Sequence, residues 1–110
     1  MRYLMLVCTD PLAEPYDPAQ DNIASWVSEM DSKGIRIIGD RLCGVDRAVT
    51  VRKRNSKVIV TDGPFAETRE QIAGFDLLEC ASLVEALEVA AKHPMARFGR
   101  IEVRPFWQPE

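Results

Sequence analysis

Tyr3-Leu4-Met5-Leu6-Val7-Cys8 is an uninterrupted apolar run near the start of a 110-residue chain. Successive side chains of a β-strand point to opposite faces, so a strand with no polar alternation asks for burial on both. Polar Thr9-Asp10 end the run. That is too early for a secretion signal, which needs roughly 7–15 apolar residues behind its basic start. No stretch approaches the roughly 20 apolar residues of a membrane-spanning helix. The expected setting is cytoplasmic, with no membrane partner.

Outward from this run the pattern changes period. Asp10 to Pro18 carries prolines at 11, 15 and 18 and reads as a loop. Asp17 as N-cap and Pro18 at the first helical position then predict a helix. Ile23, Trp26, Val27 and Met30 give its apolar face, and Gly34 its stop. Ile35 to Ile38 is a short strand ended by Gly39-Asp40. Ala48 to Val51 and Lys57 to Thr61 form a hairpin with its tip within Lys53 to Ser56. Gly74 to Cys80 is a further strand. Ser82 with Glu85 makes a capping box for a second helix, whose buried face is Leu83, Ala86, Leu87 and Ala90. Pro94 stops that helix by His93. Arg100 to Arg104 closes as a strand, with Ile101 and Val103 on one face and Arg100, Glu102 and Arg104 on the other.

This order predicts an α+β fold in one domain, residues 1–110: a ferredoxin-like sandwich, an antiparallel sheet with two helices on one face. Two helices cover only that face. The two-faced run at 3–8, and Leu78 and Cys80 opposite Phe75 and Leu77, leave a second apolar face to be covered. A second copy laying its own sheet there is the simplest cover, so a two-fold homodimer is expected.

A chain 46% hydrophobic and 28% charged sits in the ordinary range for a globular domain. Its net charge of −3 argues against nucleic acid as a partner. Arg47, Arg52, Lys53, Arg54 and Lys57 form a local basic cluster, but without interleaved aromatics for base stacking it reads as a solvated hairpin tip. Cys8, Cys43 and Cys80 form no C-x-x-C pair, and there is a single histidine. Neither a disulfide framework nor a metal site is expected, and no cofactor motif is present.

The densest polar stretch joins the hairpin to the next strand: Thr61-Asp62-Gly63-Pro64-Phe65-Ala66-Glu67-Thr68-Arg69-Glu70-Gln71-Ile72-Ala73-Gly74-Phe75. Asp-Gly-Pro turns the chain sharply. Thr68 with Gln71 could cap a single helical turn. Glu67, Arg69 and Glu70 then offer two acceptors and one fork-shaped donor, which could hold an oxyanion and move a proton or could simply fix the loop's shape. Asp62 could orient a substrate or accept backbone hydrogen bonds in its own turn. His93 could be a general acid or base, or a helix-terminal histidine whose cation the helix dipole favours. Glu102 and Arg104 are neighbours on one strand face, forming either a polar cavity wall or a solvated surface.

Asp62 to Gln71 followed by Gly74-Phe75, the Tyr3-Leu4-Met5-Leu6 opening, Ala90 to Pro94 and Ile101 to Pro105 together resemble the YCII-related family, in its DGPF branch. The resemblance implies a ferredoxin-like subunit in a dimeric α+β barrel, with a cavity between sheet and helices. In some relatives it implies acid–base work by a histidine paired with a carboxylate. Those relatives carry the histidine just after the first strand, where this chain has Thr9, Asp10 and Pro11. The expected function is binding of a small anionic or carbonyl-containing molecule, with cofactor-free proton transfer of isomerase or lyase type. In it His93, Glu67 or Asp62 would move protons, and Arg69, Glu70, Glu102, Arg104 and Phe65 would bind substrate. The alternative is a non-catalytic regulatory module acting through protein–protein contacts.

Overall fold

A computed structural model describes residues 1–63 and 71–109. Its elements in chain order are β1 (Arg2–Cys8), α1 (Ile23–Ser32), β2 (Arg36–Arg41), β3 (Val49–Arg54), β4 (Lys57–Asp62), β5 (Ile72–Glu79), α2 (Leu83–Ala91), α3 (Met95–Phe98) and β6 (Arg100–Pro105). Four strands form one sheet in the order β2-β5-β1-β6, each neighbour antiparallel. With α1 and α2 packed on one side, this is the ferredoxin-like α+β sandwich that the chain order predicts.

The sheet's register explains why β1 is apolar throughout. Tyr3, Met5 and Leu78 turn to the helices and, with Trp26, Met30, Cys80, Ala86, Val89 and Ala90, make the core. Ile101 and Val103 pack against it from β6. Burying each large side chain of this set contributes roughly 1.5–3 kcal/mol. The intervening residues point the other way. Ile38, Leu77, Leu4 and Arg104 lie in one cross-strand row, and Asp40, Phe75, Leu6 and Glu102 in the next. Leu4, Leu6, Phe75 and Leu77 are only half-buried there.

Three local readings change. Asp17 and Pro18 begin a separate 3₁₀ turn, Pro18–Gln20, with the Asp17 carboxylate accepting from Ala19 N–H at 3.0 Å. Extended Asp21 interrupts the chain before α1 starts at Ile23. The Ser82 hydroxyl caps α2 as expected, accepting from Glu85 N–H at 3.2 Å, worth about 1 kcal/mol. Its buried face, however, is Ala86, Val89 and Ala90, while Leu83 and Leu87 stay 46% and 49% exposed. Small alanines bring the helix close to the sheet, and the leucines fall to the sides. Third, β2 runs through Gly39-Asp40 instead of ending there. A Cβ on Gly39 would collide with the carboxylate of Asp76 across the strand pair, so glycine is a fitting strand residue at this point.

The hairpin forms where the alternation predicts it and, among the described residues, stands apart from the four-stranded sheet. β3 and β4 pair only with each other, from Val49↔Asp62 to Arg54↔Lys57. Asn55 and Ser56 take φ of 49° and 63° at its tip. Two successive left-handed residues match the twist of a two-residue hairpin turn.

Candidate functional site

The two faces of the sheet divide the candidate residues. Glu102 and Arg104 belong to the open face, because Ile101 and Val103 between and beside them face the core. The Arg104 Nε lies 3.9 Å from the Glu102 carboxylate, and both side chains are mostly exposed. The register sets Glu102 beside Leu6 and Phe75, and Arg104 beside Leu4 and Leu77. Asp40 closes the same row from β2. The open face is thus an apolar floor with charged groups at both edges, the composition of a surface that takes an amphiphilic ligand or another protein.

His93 lies on the opposite side, in the helix layer. It is 6% exposed, with its ring edge against Trp26 at 4.7 Å between centroids. Nδ1 accepts from Met95 N–H at 3.0 Å. In the neutral ring that places the proton on Nε2. Trp26 is held in turn by Nε1–H donating to the Val89 carbonyl at 3.0 Å. Burial pushes the His93 pKa down to about 4, with the Asp21 charge acting weakly against it. At neutral pH His93 is therefore an uncharged acceptor fastening the α2–α3 junction. The helix-end cation that the dipole argument favours does not form, because desolvation outweighs the dipole.

Asp62 is exposed at the end of β4, on the hairpin. Its neighbour Gly63 has φ of 95° and is fixed twice, by Gly63 N–H donating to Ala48 O and the Thr50 hydroxyl donating to Gly63 O, each at 2.7 Å. Phe65, Glu67, Arg69 and Glu70 lie outside the described residues, as does Thr68 of the capping reading. The far end of their segment is described. Gln71 is clamped to Thr9, which donates through its N–H to Gln71 O and accepts on its hydroxyl from Gln71 N–H, both at 2.8 Å. The position after β1 and the end of the Asp-Gly-Pro-Phe stretch are therefore bonded directly. Asp10 beside them turns its carboxylate onto Leu12 N–H at 2.9 Å.

Two polar groupings were not singled out from the sequence. Asp76, 6% exposed on the helix face between Met5 and Gly39, is bridged by Arg36 Nε at 2.8 Å. Arg36 also donates to Gly39 O at 2.8 Å and to Asp31 at 3.1 Å. Burial pushes the Asp76 carboxyl up even against this partner. The signal was available: one carboxylate inside the apolar run Phe75 to Leu78. The second is Tyr16, whose hydroxyl donates to Asp21 at 2.5 Å and whose ring meets Phe98 edge-on at 5.4 Å. Among the described residues no cluster of histidine, cysteine and carboxylates suits a metal ion, and no helix is long and apolar enough to cross a membrane.

The YCII-related domain matches residues 1–109, nearly the whole chain. The chain belongs to the YCII-related family. One curated member is an uncharacterised protein of Rhizobium meliloti (strain 1021), 49% identical over 67 residues. That match takes in 59% of this chain and spans about half, 54%, of the relative's own length. Among solved structures, the chain resembles the 5-chloro-2-hydroxyhydroquinone dehydrochlorinase of Burkholderia phenoliruptrix AC1100, in complex with 2,5-dihydroxybenzoquinone. The likeness covers 99% of this chain and 96% of the other at 14% identity, with a TM-score of 0.53. At that identity it shows the fold, an α+β sandwich subunit, and the fold only.

Proposed function

We propose that this YCII-related chain works in the cytoplasm as a homodimer that binds a small anionic or carbonyl-bearing molecule at the open face of its sheet. Where chemistry follows, it is proton transfer of the isomerase or lyase kind. One observation carries the reading. Leu4, Leu6, Phe75 and Leu77 form a half-buried floor within a single subunit, and the Arg104 guanidinium beside it keeps 70% of its side chain in solvent. An apolar floor with a planar donor at its edge suits a flat ring bearing ionised or carbonyl oxygens. In this reading Glu102 orients Arg104, and Phe65, Glu67, Arg69 and Glu70, with Asp62, supply further binding and proton-moving groups. His93 is a positioning residue of the helix layer, since the sheet separates it from this face. The free thiols of Cys8, Cys43 and Cys80 fit a reducing compartment.

The test is a thermal-shift screen with small carboxylates, phenols and 2,5-dihydroxybenzoquinone, run on the wild type and on Arg104→Ala, Arg69→Ala and Glu67→Gln. At least one probe should raise the wild-type melting temperature, and Arg104→Ala should lose that rise. A screen with no stabilising probe, or equal shifts in all four proteins, removes the basis for the pocket.

A further inference from the structure

The β3–β4 hairpin makes a well-formed arm whose sides have opposite character. Cross-strand register places Val49 against Asp62, Val51 against Val60, and Lys53 against Val58, all on one face. Arg52, Arg54, Lys57 and Ile59 belong to the other face with Thr50 and Thr61. The four valines of the first face are 58–65% exposed. A two-stranded ribbon is marginal in water unless its apolar face is covered. The subunit also spreads wider than its length requires: its radius of gyration is 16.1 Å, against about 13 Å for a compact chain of this size.

We propose that this is an exchange arm, whose valine face docks on the open sheet face of a second copy of the chain. The inference rests on the homodimer reading above and adds which element joins the copies. Charge selects the occupant. Residues 47–57 hold five of the fourteen cationic side chains and none of the seventeen acidic ones, so the other residues carry nine against seventeen, a net of −8. A second copy therefore meets the basic arm with an oppositely charged body. Its open face presents Ile38, Leu77, Leu4, Phe75 and Leu6 to the valines. Asp40 and Glu102 stand at the two edges of that face, and Lys53, the cation on the valine face, supplies the matching charge. The arm is then a roof over the partner's apolar floor, and any ligand bound there is enclosed by both copies.

Two measurements on the full chain test this. Isotope-labelled and unlabelled protein are mixed before refolding and cross-linked at zero length between amines and carboxylates. Links from Lys53 to Asp40 or Glu102 should join labelled to unlabelled peptides. Separately, Val51→Ser with Val60→Ser should weaken the dimer about ten-thousandfold in sedimentation, because both arms of a two-fold dimer carry the pair and each valine contributes roughly 1.5 kcal/mol. Circular dichroism should show an unchanged subunit, because these side chains are exposed in it. Arm links confined to one isotope, or a dimer constant moved less than about twofold, overturn the exchange arm while leaving the homodimer in place. A wild-type chain that sediments as a monomer at micromolar concentration overturns both.

Discussion

The two faces of the four-stranded sheet are made by the same strands with similar residues, yet they are finished differently. Tyr3, Met5 and Leu78 turn inward and meet Trp26, Met30 and the alanines of α2. Leu4, Leu6 and Leu77, one residue away in each case, turn outward and are left half-covered. Strand alternation specifies two apolar faces. The chain supplies helices for one of them, and the second is an invitation to another molecule. The comparison separates residues that hold the subunit together from residues that prepare it for something else.

The adjacent pair Leu77 and Leu78 tests the contrast most directly. Leu78→Ala opens a cavity in the core and should cost about 3 kcal/mol in urea denaturation of the dilute subunit. Leu77→Ala should cost less than half of that under the same conditions, and the gap should narrow as the protein is concentrated. Equal costs at high dilution would mean that the outer face is already filled within one chain.

The second prediction concerns the helix layer through pH. His93 has a folded pKa of about 4, below its ordinary value near 6.5. The unfolded chain therefore binds a proton that the folded one refuses. His93 contributes stability fully above about pH 6.5 and loses it as pH falls towards 4, by up to about 3 kcal/mol. His93→Gln should flatten this acid limb of the stability curve. Parallel curves for variant and wild type would show that the acid loss comes from another group.

The smallest effect belongs to the open face. Arg104→Ala should change subunit stability by less than about 0.5 kcal/mol, since an exposed pair 3.9 Å apart contributes little. A cost above about 1.5 kcal/mol would mean that Arg104 is structural, and the ligand reading at that edge would fail.

Much of this architecture was legible in the residues. The alternation at 3–8 and 75–80 carries both faces, and Ser82 with Glu85 marks the start of α2. What escaped depended on distance in space. Leu83 and Leu87 have helical spacing, but Ala86 and Ala90 allow a closer approach and take the buried side. Gly39 looks like a strand end until Asp76 is seen across from it. The hairpin's alternation is clear, whereas its separation from the sheet is a matter of tertiary placement that periodicity does not encode. The candidate site was legible in part: the edge pair Glu102 and Arg104 follows from strand parity. The neutrality of His93 does not, because desolvation by Trp26 and its surroundings has no local sequence sign.

The paired hydrogen bonds between Thr9 and Gln71 bear on how the chain tolerates change. With Gln71 pinned to the end of β1 at two points of 2.8 Å, the register of β5 is protected from whatever precedes it. A change in the length of the sequence between positions 63 and 71 should therefore leave the pairing of β5 where it is. Thr9 is thus a latch, fixing where β5 begins against β1 whatever the chain does before it.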